Sequence, residues 1–187
     1  MVEIVHKDHE LLNTKLDTFD FNNPPIDPKE LAKTLLDNMN AKNGMGLAAN
    51  QLGLPYRAFI MRTNPALVCF NPKIVDESNS YVTMEEGCLT YPLLYVKIRR
   101  PDGIRVRFQN ELGEMQTEKF NGITARVFQH ELDHLNGINY LNRASNYHLQ
   151  KAKNKVKLLN RKKRKLGDIL WVIIGYKILV ICILNLM

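Results

Sequence analysis

The stretch "QHELDHLNG", Gln129 to Gly137, holds two histidines four residues apart with a glutamate beside the first. On a helix this spacing sets His130 and His134 over one turn and aims both imidazoles at one point. With Glu131 next to them they form the H-E-x-x-H arrangement of zinc hydrolases, two ligands and a general base. A catalytic metal needs a third protein ligand. The extended protease pattern H-E-x-x-H-x-x-G-x-x-H asks for a histidine at position 140, where this chain has Tyr140. The scheme with a downstream glutamate fails as well: no glutamate follows Glu131, and His148 sits in a lysine-rich stretch. The third ligand is therefore sought upstream. There "MEEGCLTYP" offers Cys88, preceded by Gly87, which permits close backbone approach. A Cys/His/His set suits a divalent transition metal and leaves one position open for water. Taken alone, Cys88 fits a ligand and a core residue equally well. Cys69, in "ALVCFNP" among apolar neighbours, reads as core.

The elements that must position these residues follow from periodicity. "ITARVFQHELDHLN" reads as a helix that Gly137 ends. On it Val127, His130, Glu131 and His134 share one face, and Phe128, Leu132 and Leu135 share another. "IDPKELAKTLLDNMNAKNG" reads as an earlier helix, with Asp27 as N-cap, Pro28 in the first position and Glu30 placed for a capping box. Leu31, Leu35, Leu36 and Met39 form its apolar stripe, and Gly44 ends the segment. "GMGLAANQLGLP" reads as loop. "YRAFIMR" reads as a strand, and "ALVCFNPKIVD" and "LYVKIRRPDGIRVRFQNELGEMQTEKF" read as antiparallel strands, with "PDG" and "NELG" as turns between them. Val96, Ile98, Ile104, Val106 and Phe108 alternate with basic residues as half-buried strands do. The expectation is an α+β fold: antiparallel sheets around a central helix carrying the motif, followed by a basic C-terminal helix.

Charge is spread unevenly over the 187 residues, and this bounds the partners. Residues 1–142 hold 15 Lys+Arg and 18 Asp+Glu, whereas residues 143–187 hold 11 Lys+Arg and one acid, Asp168. The body is therefore not built to bind polyanions, and sequence-specific nucleic-acid binding is not expected. Three cysteines without framework spacing, and an N-terminus without a long apolar core, point to a reducing cytoplasm. His6 and His9 read as solvated.

Three stretches, "GMGLAANQ", "EGCLT" and "QHELDHLNG", resemble in order the three motifs of the peptide deformylase family. The resemblance implies a metal-dependent hydrolase that removes the formyl group from the N-terminal formylmethionine of new polypeptides. It implies Cys88, His130 and His134 as metal ligands and Glu131 as general acid/base toward a metal-held water. Gln51 and the backbone N–H of Leu89 would stabilise the oxyanion. Gly44, Met45, Gly46, Glu86, Gly87, Tyr91, Val127 and Phe128 would line the substrate site. Iron(II) is the metal of many members; geometry alone favours zinc(II), and other divalent ions also support activity in the family. Thr90 stands where serine is more usual, and Asn50 in a variable position. Asp133 reads as a group that orients a neighbour, and Arg126 is expected to pair with a buried acid such as Glu86. Two other readings compete: a different H-E-x-x-H peptidase, which lacks its downstream ligand, and an inactive binding protein of the same fold, which would have no need of all five site residues.

Three regions are expected: a catalytic domain over residues 1–142, a basic C-terminal helix over 143–166, and a hydrophobic tail over 167–187. In the helix Leu149, Ala152, Val156 and Leu159 recur at helical spacing among lysines. Bacterial members of the resembled family dock on the ribosome through a C-terminal helix, so contact with ribosomal RNA is one expectation. Ile169 to Met187 is a 19-residue apolar run interrupted by Lys177 and Asn185, preceded by "RKKRK". It reads equally as a membrane anchor or as a segment packed on protein.

Overall fold

The structure is a computed structural model and describes residues 2–164. The expected hydrophobic tail lies outside the described residues. Helix α1, Pro28–Ala41, has the expected N-cap and Pro28 in its first turn, but not the capping box expected with Glu30: the Asp27 carboxylate accepts from the Lys29 N–H at 2.9 Å. Leu31, Leu35 and Met39 are buried. The turn after the helix is made by Asn43, at φ 52°, before the Gly44 N–H bonds back to Met39 O.

Strands β1 (Gly46–Ala48), β2 (Ala58–Met61), β3 (Leu67–Glu77), β6 (Gly103–Gln109) and β7 (Met115–Asn121) form one antiparallel sheet in the order β1-β2-β3-β6-β7. Strands β4 (Tyr81–Cys88) and β5 (Tyr91–Pro101) form a separate hairpin. Helix α2, Gly122–Leu135, lies on one face of the five-stranded sheet and α1 on the other. The alternation along β2 shows this directly. Phe59 and Met61 join Phe128, Leu132 and Leu135 of α2, whereas Ala58 and Ile60 join Leu31, Leu35 and Met39 of α1. The hairpin packs Val96 and Ile98 on Tyr140 and on Leu149 and Ala152, which belong to a helix over residues 146–164, α3.

Three sequence expectations change here. "GMGLAANQL" is not all loop: it contains β1 and a 3-10 turn, Ala49–Leu52. "YVTMEEGC", to which the sequence assigned no element, is a strand with Glu86 on its inward row. "PDG" is not a hairpin turn; the chain changes sheets there, since β5 pairs with β4 and β6 with β3 and β7. "NELG" does join a hairpin, β6 to β7, with Gly113 at φ 81°. α2 ends as expected, with Gly137 at φ 68° and the Ile138 N–H bonding back to Asp133 O at 2.9 Å. The α3 stripe holds only at its start: Ala152 is buried, but Leu159 is exposed because the helix runs past the edge of the body.

Candidate metal centre

The α2 face opposite the sheet carries His130 and His134, with ring centroids 5.1 Å apart. Cys88 reaches them from the end of β4, with Sγ 3.2 Å from His134 Nε2. One donor atom from each of the three lies within 4.8 Å of the others, and this is the only such cluster among the described residues. Ligand atoms sharing one tetrahedral ion at bond lengths of about 2.0–2.3 Å sit roughly 3.3–3.8 Å apart, so the donor set fits a divalent metal. Cys69 has no such company. It is fully buried in the apolar core, and burial pushes its thiol up.

The local fold dictates the rest of the site. Gln51 lies in the 3-10 turn with its Oε1 accepting from the Ala48 N–H at 3.0 Å. That bond turns the amide nitrogen inward, 3.4 Å from Cys88 Sγ and 3.2 Å from Thr90 Oγ1. The Thr90 hydroxyl thus accepts from the Gln51 amide. Asn50 donates to His134 O at 2.6 Å and Leu11 O at 3.0 Å, tying the end of α2 to the N-terminal segment. Gly46 faces Glu131 so closely that a Cβ there would lie 2.5 Å from Oε1. Glu131 is buried, and its Oε2 has no hydrogen-bond partner. An unpaired buried carboxylate oxygen is costly, so this one waits for a ligand or a water.

Behind these three donors lies a buried ionic network. Glu86 Oε2 is 2.9 Å from His130 Nδ1, which leaves Nε2 as the free nitrogen of the ring. Arg100 grips the same carboxylate with Nε and Nη2 at 2.7 and 2.9 Å, and Arg126 adds Nη1 at 2.9 Å. The expected Arg126–Glu86 pair is therefore present. Asp133 binds no ligand position; it pairs with Arg100 and Arg143.

A cleft of ≈ 520 Å³ opens beside this centre. Gly44, Met45, Gly46, Gln51, Gly87, Leu89, Val127 and Glu131 all line it. Glu86 lines it too, but its carboxylate is engaged by the arginines and His130. Two expected substrate residues lie elsewhere. Phe128 is completely buried between Phe59 and Phe120, because one residue along a helix turns about 100° from Val127. The Tyr91 hydroxyl bonds to Asn139 and its ring packs on Tyr140, away from the cleft. Leu93, Tyr95 and Ile123, which the sequence did not single out, stand exposed at the cleft mouth. Tyr95 sits there because β5 carries Pro92 to Tyr95 against the single Gly87 of β4. A Cβ on Gly87 would lie 2.6 Å from the Tyr95 ring.

The sequence model of the family described as "Polypeptide deformylase" matches residues 1–150. The chain belongs to that family. It is 41% identical over 123 residues to a peptide deformylase of Synechococcus sp., covering 63% of this chain and 61% of that relative. It is 34% identical over 158 residues to the peptide deformylase of Borreliella burgdorferi, covering 83% and 92%. The structure aligns with a class I type b peptide deformylase from Acinetobacter baumannii, solved with Met-Ala-Ser bound, at a TM-score of 0.71 and 30% identity, over 76% of this chain and 98% of that one. The match thus spans less than two thirds of the Synechococcus relative. Deformylase membership implies one divalent metal, and the Cys88, His130 and His134 donors are where such an ion fits.

The charges of the site hold one another: burial opposes the charge on His130, but the hydrogen bonds to Cys88 and Glu86 raise its pKa to about 10. Burial opposes ionisation of Cys88, but the His134 charge and the imidazole hydrogen bonds hold its thiol well below the usual range, toward the thiolate form that binds metals. Burial likewise opposes the charge on Glu86, yet the His130 and Arg100 hydrogen bonds hold it below the usual carboxylate range. Glu131 differs: burial pushes its carboxyl up to about 7, against the pull of His130 and His134. Among the described residues no helix is long and apolar enough to cross a membrane.

Proposed function

We propose that this protein is an active peptide deformylase, a metal-dependent amidohydrolase that releases formate from N-formylmethionyl polypeptides. The observation that carries the reading is the unpaired Glu131 Oε2 facing a Cys/His/His donor set with the Gln51 amide turned inward. Cys88, His130 and His134 would hold the ion, iron(II) by family resemblance or zinc(II) or another divalent metal. Its contribution is that of a Lewis acid that brings the pKa of water toward neutrality.

The chain's own residues supply the remaining steps. Glu131, buried beside the donor set with Oε2 unpaired, accepts the proton of the attacking water and returns it to the departing nitrogen. The Gln51 Nε2 and the Leu89 N–H donate to the oxygen that gains negative charge, each worth about 3 kcal/mol of barrier. Gly44 to Gly46 and Gly87 line the cleft where an extended peptide would lie, and Val127 and Leu89 give an apolar wall for the methionine side chain. The Met-Ala-Ser ligand of the Acinetobacter baumannii relative supports a methionine-led peptide. Such substrates emerge in the cytoplasm, where the basic α3 would meet ribosomal RNA; membrane contact through residues 169–187 remains the competing use of the C-terminus.

The test is formate release from a formyl-Met peptide by the metal-loaded full-length chain. Glu131→Ala is expected to lower kcat about 10²- to 10⁴-fold while retaining metal. Equal rates for the two proteins would overturn the mechanism.

A further inference from the structure

Arg143 lies outside the cleft, at the end of the 3-10 turn Tyr140–Arg143 that leads into α3. Its guanidinium holds both oxygens of Asp133, with Nη2 to Oδ1 at 2.6 Å and Nε to Oδ2 at 3.2 Å. Asp133 Oδ2 also accepts from Arg100 Nη1 at 2.7 Å. Arg100 in turn grips both oxygens of Glu86, and Glu86 Oε2 meets His130 Nδ1 at 2.9 Å. The side chains of Arg100, Asp133 and Glu86 are only 5%, 5% and 3% exposed, whereas that of Arg143 is 45% exposed. One unbroken series of charged contacts therefore runs from the surface to a metal-ligand candidate.

We propose that Arg143 is a positioning residue for His130, acting through Asp133, Arg100 and Glu86, and that it ties the base of α3 to the geometry of the metal centre. This rests on the reading of Cys88, His130 and His134 as metal ligands. Guanidinium–carboxylate forks are directional, so each link fixes the orientation of the next. Three guanidiniums, Arg100, Arg126 and Arg143, share two carboxylates, Glu86 and Asp133. Without Arg143, Asp133 Oδ1 loses its guanidinium partner and Asp133 draws Arg100 toward itself, away from Glu86. The carboxylate that orients the His130 ring then loosens, and ligand orientation of this kind commonly changes metal affinity. The link to α3 is short. Ser145, two residues on, accepts from the His148 N–H at 3.3 Å, and Leu149 and Ala152 pack on Val96 and Ile98 of β5, the strand that bears Arg100. α3 is thus held to β5 by apolar contact and to the site by Arg143.

The test uses full-length wild type, Arg143→Ala, Arg143→Lys and, as a surface control, Arg105→Ala. Zinc(II) affinity is measured by chelator competition, and the cobalt(II)-loaded proteins are compared by absorption. Arg143→Ala is expected to bind zinc(II) about tenfold more weakly, with an altered cobalt(II) spectrum and a fall in kcat at a KM within about twofold of wild type. Arg143→Lys restores part of the affinity, since it keeps the charge but not the fork. Arg105→Ala matches wild type. If Arg143→Ala binds zinc(II) as tightly as wild type, the positioning role is overturned, whatever happens to the melting temperature. If wild type binds no metal, the ligand assignment fails and this inference with it.

Discussion

The two faces of α2 are built on opposite rules. On one, Ala125, Phe128, Leu132 and Leu135 press against Phe59, Met61 and Phe108 of the large sheet. On the other, His130, Glu131 and His134 meet the β4–β5 hairpin, where Glu86, Cys88 and Arg100 are charged or ionisable. The apolar face is held by area and shape, which tolerate exchange of one hydrocarbon for another of similar volume. The chemical face is held by pairing: nearly every buried charge has a partner, because an unpaired one would cost several kcal/mol. The exception is Glu131, and a carboxylate left unpaired in an otherwise satisfied network marks the place where chemistry is to happen.

Substitutions can separate these rules. Phe128→Ala should cost about 3–5 kcal/mol in denaturant unfolding while each folded molecule still binds one metal ion. A raised KM for a formyl-Met peptide at full stability would instead put Phe128 in the cleft. The next largest effect concerns pH. Glu86 has a depressed folded-state pKa, so its stabilisation is present above the ordinary value of 4.5 and is lost as pH falls below it. Unfolding measured from pH 7 to pH 3 should show an acid limb, and Glu86→Gln should flatten it at a cost of roughly 1–3 kcal/mol at neutral pH. An unchanged acid limb in Glu86→Gln would place the titrating group elsewhere.

The cysteines extend the comparison. With the third cysteine, Cys182, replaced by serine, iodoacetamide at neutral pH should modify Cys88 in metal-stripped protein and leave buried Cys69, whose thiol burial pushes up, intact. Modification mapped to Cys69 would reverse the assignment of ligand and core. The smallest effect is expected on α3: Leu159→Ala should alter stability by no more than about 0.5 kcal/mol, since that side chain projects beyond the body. A larger loss in thermal unfolding would show that the helix packs along its whole length.

Much of α2 was legible in the sequence because both of its patterns are local. The helical period set Val127, His130, Glu131 and His134 apart from Phe128, Leu132 and Leu135, and Gly137 marked the end. Resemblance then misplaced Phe128 in the cleft, where the period alone had kept it in the core. β4 was hidden because its inward row is Val82, Met84 and Glu86, and a charge on the inner face breaks the apolar alternation. Arg100 was legible in principle: it shares parity with Val96 and Ile98, so it points inward, and an inward arginine demands a buried acid. Which acids, Glu86 and Asp133, depends on how the hairpin meets α2, and that is decided by tertiary packing. Tyr95 and Ile123 were missed for the same reason, since only the irregular hairpin and the start of α2 bring them to the cleft mouth.

The most direct test of the account is to identify the bond that is broken. Metal-loaded wild-type protein is incubated with formyl-Met-Ala-Ser, and the products are resolved by mass spectrometry with formate assayed in parallel. The account predicts stoichiometric formate and intact Met-Ala-Ser. Cleavage between methionine and alanine with the formyl group retained would contradict it and make this H-E-x-x-H site that of a peptidase.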